Sequence, residues 1–352
     1  MQEGYTPLQR VLTTLGHAEP DRVPFFLLVT MHGAKELGLS IEDYFSRPET
    51  VVEGQLRMRA KYGHDCLYAL FYASIEVEAW GGETIFRDDG PPNAGAPIIR
   101  KLEDIASLEP PNAKESFCLA KVLNAIQMLK ERAGNDVPII GVVMSPFSVP
   151  VMQIGFEGYI ELMYERPDLF QHLMKVNEEF CVQWANAQLD AGATAIGYFD
   201  PVSSPSIVPR PVYLQTGFQI ACRAIARIKG PIAVHFGSAQ NLALVEDLVK
   251  TGVGITSTCV LDDLAQMKAA CKGKIAVLGN LNGIEMRRWS PAQAEAAVKN
   301  AIAKGGPGGG FILSDGHGEI PWQVPDEVLL AMSQAVRRWG TYPLSWARDY
   351  LD

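Results

Sequence analysis

Apolar and polar positions follow two rhythms along this 352-residue chain. Short unbroken apolar runs bounded by Gly, Pro, Asp or Asn read as buried parallel strands, which need no polar face. Eight such runs occur, at 25–30, 66–72, 138–144, 194–199, 231–236, 253–259, 274–279 and 310–314. Between them, apolar residues recur every three to four positions, the period of a helix with one buried face. The longest such stretch is 167–190, where Leu169, Leu173, Val176, Phe180, Trp184 and Ala187 mark that face. The same period predicts helices at 5–16, 48–62, 116–133, 212–228, 240–251, 262–271, 291–304 and 325–339.

Strand and helix alternating through short loops predict a parallel sheet. Eight such units in about 300 residues predict a closed (β/α)8 TIM barrel in preference to a doubly wound sheet. An N-terminal helical segment precedes the barrel, and the Gly- and Pro-rich residues 73–100 predict a β-hairpin excursion. No internal repeat or low-complexity linker divides the chain, which predicts a single domain over 1–352. No GxGxxG or GxxxxGK[ST] follows a strand, which speaks against dinucleotide and P-loop binding.

Composition narrows the function classes. The net charge is −9 and no basic block occurs, so nucleic acid is not an expected partner. No apolar run approaches the roughly 18 residues that span a bilayer, and MQEGYTPLQRVL does not read as a signal peptide. The six cysteines are scattered without CxxC pairs, as expected of reduced thiols in a cytoplasmic enzyme.

In a barrel the functional face collects the C-terminal ends of the strands. Those ends carry His32, Tyr72, Met144, Asp200, His235, Cys259, Asn280, and Asp315 with His317. The last pair lies in GGPGGGFILSDGHGEIP, residues 305–321, where glycines let the backbone approach a ligand. Three of the six histidines fall on this face. Zinc favours His nitrogen and Cys sulfur, so His235, Cys259 and His317 are candidate metal ligands. The alternative makes Cys259 a small buried hydrophobe and leaves the histidines to touch substrate directly. Asp65, Asp200 and His317 are candidate acids or bases, with turn or cap roles as the alternative for the two aspartates. His32 and Asn280 are candidate substrate contacts. Phe71, Tyr72, Met144 and Phe147 would suit a flat organic substrate, with ordinary core packing as the alternative for each.

Several segments together resemble the uroporphyrinogen decarboxylase superfamily: Pro20-Asp21-Arg22-Val23-Pro24, Lys61-Tyr62-Gly63-His64-Asp65, Glu78-Ala79-Trp80-Gly81, Asp200-Pro201, Ile232-Ala233-Val234-His235, Gly279-Asn280-Leu281, and Phe311-Ile312-Leu313-Ser314 with Gly316-His317-Gly318. The resemblance covers nearly the whole chain and implies a (β/α)8 barrel. The decarboxylase branch binds an eight-carboxylate porphyrinogen through an arginine-bearing N-terminal segment, because guanidinium forks suit carboxylates. Here the matching stretch, Leu28 to Ala34, holds no arginine, although Asp65 and His317 match positions that matter in that branch. His32-Gly-Ala-Lys-Glu-Leu-Gly looks instead like the corrinoid-dependent methyltransferases. That resemblance implies a corrinoid cofactor carried on a partner protein and a small-molecule methyl donor or acceptor. Thiol-methylating members bind zinc through a His-x-Cys pair and a later Gly-Cys-Gly. Here the first ligand matches as His235, but Gly237 and His317 stand at the other two positions. Fewer thiolates leave a metal more Lewis acidic, which suits an ether donor over a thiol acceptor. Demethylation of a methoxyaromatic or similar donor is therefore the leading expectation. Methylation of a thiol or tetrahydrofolate, decarboxylation of a smaller acid through Asp65 and His317, and a non-catalytic binding paralogue are the alternatives.

Overall fold

The structure is a computed structural model that describes residues 4–351. Nine strands form. Seven make one parallel sheet: β1 (Leu67–Tyr68), β4 (Ile139–Met144), β5 (Ala195–Phe199), β6 (Ile232–His235), β7 (Ile255–Ser257), β8 (Ala276–Leu281) and β9 (Phe311–Asp315), paired in that order. The other two, β2 (Thr84–Ile85) and β3 (Asn93–Ala94), pair antiparallel as the hairpin expected within 73–100.

The predicted strand at 25–30 is replaced by a single parallel bridge between Phe25 and Leu313. Pro24 has no N–H for a ladder, and a helix starts only a few residues later, at His32. The segment still closes the ring. Its Phe26 N–H donates to Leu313 O at 2.9 Å, and Phe25 O accepts the Asp65 N–H at 2.7 Å, joining β9 to the β1 side. The curled sheet with its helices is the predicted barrel in outline, with one of its eight positions irregular.

The helices start where local chemistry supplies caps. Helix α1 (Pro7–Leu15) has Pro7 in its first turn and a reciprocal Thr6–Gln9 capping box. The helix Pro291–Gly305 repeats the device with Ser290 and Gln293. Short helices that the periodicity missed include α2 (His32–Leu37) and Ile75–Glu78, which are too brief to show a period.

Two apolar layers result. The outer layer lies between helices and sheet, and includes Trp184 and Phe180 from the long helix Pro167–Ala191. The inner layer lines the ring with Val11, Phe26, Leu28, Tyr68, Ile140, Val142, Ile255, Leu278 and Ile312. Each such side chain, fully buried, contributes about 1.5–3 kcal/mol. Val11 comes from α1, which borders the end of the ring where the strands begin. Among the described residues no helix is long and apolar enough to cross a membrane, and the six cysteines are free.

Candidate active site

The strand ends gather polar groups between β5, β6 and β9. His235 is the last residue of β6. Its ring stacks on Phe199, centroids 4.6 Å apart and planes at 14°. Its Nδ1 accepts the N–H of Gly237 at 2.9 Å, so the neutral ring carries its proton on Nε2. Burial, then the nearby His317, pushes its pKa down to about 4, and the ring is neutral at physiological pH. Gly237 makes this turn at φ +61°, in the left-handed region that favours glycine.

His317 stands in the turn after β9. Its Nδ1 is hydrogen-bonded to Ser238 Oγ, which ties that turn to the one after β6. Burial also lowers its pKa, helped by Arg287. Asp315 ends β9 and holds the turn from below. One carboxyl oxygen accepts the N–H groups of His317 at 2.9 Å and Gly318 at 2.8 Å. Its other oxygen is buried with no partner. Burial raises this carboxyl to about 7. Glu319 accepts the Met31 N–H, and burial with the neighbouring Asp315 raises it to about 8.

The two candidate catalytic aspartates have other places. Asp65 lies at the opposite end of the ring, before β1. Arg22 clamps it with two bonds at 2.7 and 2.8 Å, Arg10 adds one at 2.8 Å, and the Phe25 N–H adds another at 2.9 Å. This saturated carboxylate holds α1 and the Pro24 segment to the barrel. Asp200 is at the correct end but is caged: Ser145 and Ser203 each donate to it at 2.6 Å and Ser148 at 2.8 Å. It links the loops after β4 and β5, and its own N–H donates to His235 O at 2.8 Å.

Of the expected substrate contacts, Met144 stays partly exposed at the end of β4, while three aromatics turn into the outer layer. Phe71 packs on Phe45, Tyr72 donates to Glu78 at 2.8 Å, and Phe147 packs against Tyr159 and Phe170. Asn280 sits on β8, 3.5 Å from Cys259 O. His32 is buried near Trp322, its ring nitrogens have no hydrogen-bond partner, and burial lowers its pKa to about 3. Glu76 is a group that sequence reasoning missed. It is 3% exposed, accepts the Met144 N–H at 2.8 Å with one oxygen, and leaves the other unpartnered. Burial raises it to about 8.

The expected His235–Cys259–His317 ligand set does not assemble. Among the described residues no three His, Cys, Asp or Glu side chains lie together as a metal site. His235 carries its proton on Nε2, because Nδ1 accepts the Gly237 N–H, and burial raises the Cys259 thiol away from the thiolate that a metal needs. The donors present do not fit a bound zinc ion. What the site offers is two neutral imidazoles beside a carboxyl whose proton is exchangeable near neutrality.

Comparison with known proteins agrees with this architecture. The chain is 24% identical over 319 residues to the methylcobamide:CoM methyltransferase MtaA of Methanosarcina barkeri, covering 87% of this chain and 93% of that protein. It is 25% identical over 296 residues to the uroporphyrinogen decarboxylase of Cellvibrio japonicus, covering 80% of each. A solved methyltransferase from Methanosarcina mazei shares the fold with a TM-score of 0.84 at 21% identity, covering 95% of this chain and 99% of that one. The sequence profile of uroporphyrinogen decarboxylase (URO-D) matches residues 6–339, and the chain belongs to that family.

Proposed function

We propose that this protein is a corrinoid-dependent methyltransferase that moves a methyl group between a small methylated substrate and a corrinoid held by a partner protein. The observation that carries the reading is the near full-length similarity to MtaA, joined to the lack of arginine in residues 28–34, where the decarboxylase branch carries it for its porphyrinogen. The buried Arg10 and partly buried Arg22 are at the other end of the ring, spent on Asp21 and Asp65. A methyl ether, with a methoxyaromatic as the leading case, fits better than a thiol. Thiol activation calls for a thiolate-rich metal site, and Gly237 and His317 stand where the resemblance expects cysteines.

A reduced corrinoid, brought by the partner protein, would supply a nucleophilic cobalt as the methyl acceptor. The residues of this chain manage the oxygen left behind. The carbon–oxygen bond breaks with its electron pair staying on oxygen, and a proton must reach that oxygen. His235, held flat by Phe199, keeps its proton and presents Nε2–H as a hydrogen-bond donor to that oxygen. Asp315, protonated below a pKa of about 7, is the acid of the same strand-end cluster that supplies the proton. Val260 and Leu261, 47% and 66% exposed just past β7, give the same rim an apolar edge on which a partner docks.

The test mixes purified protein with free cob(I)alamin and a panel of methyl ethers and other methylated donors. Spectral conversion to methylcobalamin with at least one donor is the expected result. A panel that gives no conversion, with reduced cobalamin intact, would sink the proposal.

A further inference from the structure

The interior of a (β/α)8 barrel is ordinarily filled by bulky branched side chains. Here the inner layer of β5 and β6 contributes Ala195, Gly197 and Ala233, and an unfilled space of about 90 Å³ runs through the ring. Its walls are almost wholly apolar. Ala195, Phe199 and Ala233 belong to or pack on the inner layer, yet each keeps some exposure, because no side chain fills the space before them.

The space has a direction. At the end where strands begin it is bordered by Leu8, the 56% exposed Leu12, and the exposed Pro231 and Gly254. At the other end it reaches His235, Ser314 and Gly318. Along β6 the lining runs from Pro231 to His235, a rise of about 13 Å at roughly 3.3 Å per residue. A cavity of about 150 Å³ is what a benzene-sized ligand occupies. This one is smaller and drawn out along the strands, a shape for a linear chain and not for a ring. At its inner end His235 has Nδ1 taken by Gly237, which leaves Nε2–H to meet one acceptor oxygen.

We propose that the barrel interior is a binding site for a short unbranched aliphatic chain bearing one oxygen, entered from the α1 end, with the oxygen at His235. The site shares the His235 Nε2–H with the methyl-transfer reading and would compete for it, but does not rest on that reading. It is tested on the protein alone, without corrinoid, so the two proposals fail separately.

The experiment is calorimetric titration with straight-chain primary alcohols from 1-propanol to 1-hexanol, with phenol as the ring control. Affinity is expected to rise roughly fourfold per added CH₂, then level off once the chain fills the space, while phenol falls below the chain of equal carbon number. Ala233→Leu fills the space and is expected to weaken the tightest alcohol at least tenfold. Gly197→Ala adds a single carbon whose nearest contact is 3.6 Å away; it preserves the fold and is expected to weaken the same alcohol about threefold or more. If Ala233→Leu does not fold, Gly197→Ala decides alone. Affinity independent of chain length, phenol binding as well as the chain, or an undiminished affinity in Gly197→Ala would each overturn the proposal.

Discussion

At the end of the barrel where strands begin, Asp65 accepts hydrogen bonds from Arg10, Arg22 and the Phe25 N–H until both oxygens are saturated. At the end where they finish, one oxygen of Asp315, one of Glu76 and both nitrogens of His32 are buried with no partner. Neither end is uniform: both nitrogens of His64, beside Asp65, are also buried without a partner, and Asp200 at the finishing end accepts from three serines. The contrast lies between two carboxylates, Asp65 and Asp315. A saturated buried group fixes structure, and an unsatisfied one is costly unless it has something to bind. This contrast assigns stability to Asp65 and chemistry to the cluster of Asp315 and His235.

The contrast breaks most visibly at His235. His235→Ala is expected to lower methyl transfer to cob(I)alamin by roughly 10²–10³-fold, the range for a hydrogen-bond donor aimed at a developing oxyanion, with little change in melting temperature. Asp65→Ala is expected to do the reverse. Removing one partner from a buried ion cluster costs about 3–5 kcal/mol, to be read in a urea titration, while the rate per folded molecule stays at the wild-type value. Asp200→Ala leaves three serine hydroxyls without their acceptor and is expected to cost about 1–3 kcal/mol. Its rate is expected to fall only as far as the loops after β4 and β5 loosen.

The smallest effect sharpens the contrast through pH. Asp315 is an acid whose folded pKa, about 7, lies above its unfolded value. The folded state therefore holds that proton more tightly, and this group's contribution to stability falls as pH rises from about 4 to about 7. As the proton source it makes the transfer rate fall above pH 7, and Asp315→Asn is expected to flatten that alkaline limb in a pH–rate profile. His235 has the opposite sign. Its pKa of about 4 lies below the unfolded value, so its contribution is complete above about 6.5 and lost as pH falls through 4.

The sequence carried the barrel because apolar runs and helical periods are local signals. It placed His235 and His317 at strand ends because one closes β6 and the other lies in the turn after β9. Asp65 misled because its arginine partners are 43 and 55 residues away, a separation no local pattern reports. Phe71 was legible in principle: strand residues alternate faces, and it shares the parity of the outward-packing Leu67 and Ala69, not of the inward Tyr68. Glu76 was not legible. It sits in the short helix Ile75–Glu78, where two carboxylates alternate with two apolar residues and nothing local marks Glu76 as the buried one. The metal expectation rested on residue types at strand ends, and type says nothing of which nitrogen a neighbouring backbone amide has already taken.

The most direct test of the contrast is the initial rate of cob(I)alamin methylation, with one active ether donor, per folded molecule of His235→Ala and Asp65→Ala side by side. The assignment of chemistry to the strand-end site expects Asp65→Ala to match the wild type and His235→Ala to fall at least about a hundredfold. A His235→Ala protein that keeps its rate while folded Asp65→Ala loses it would contradict that assignment.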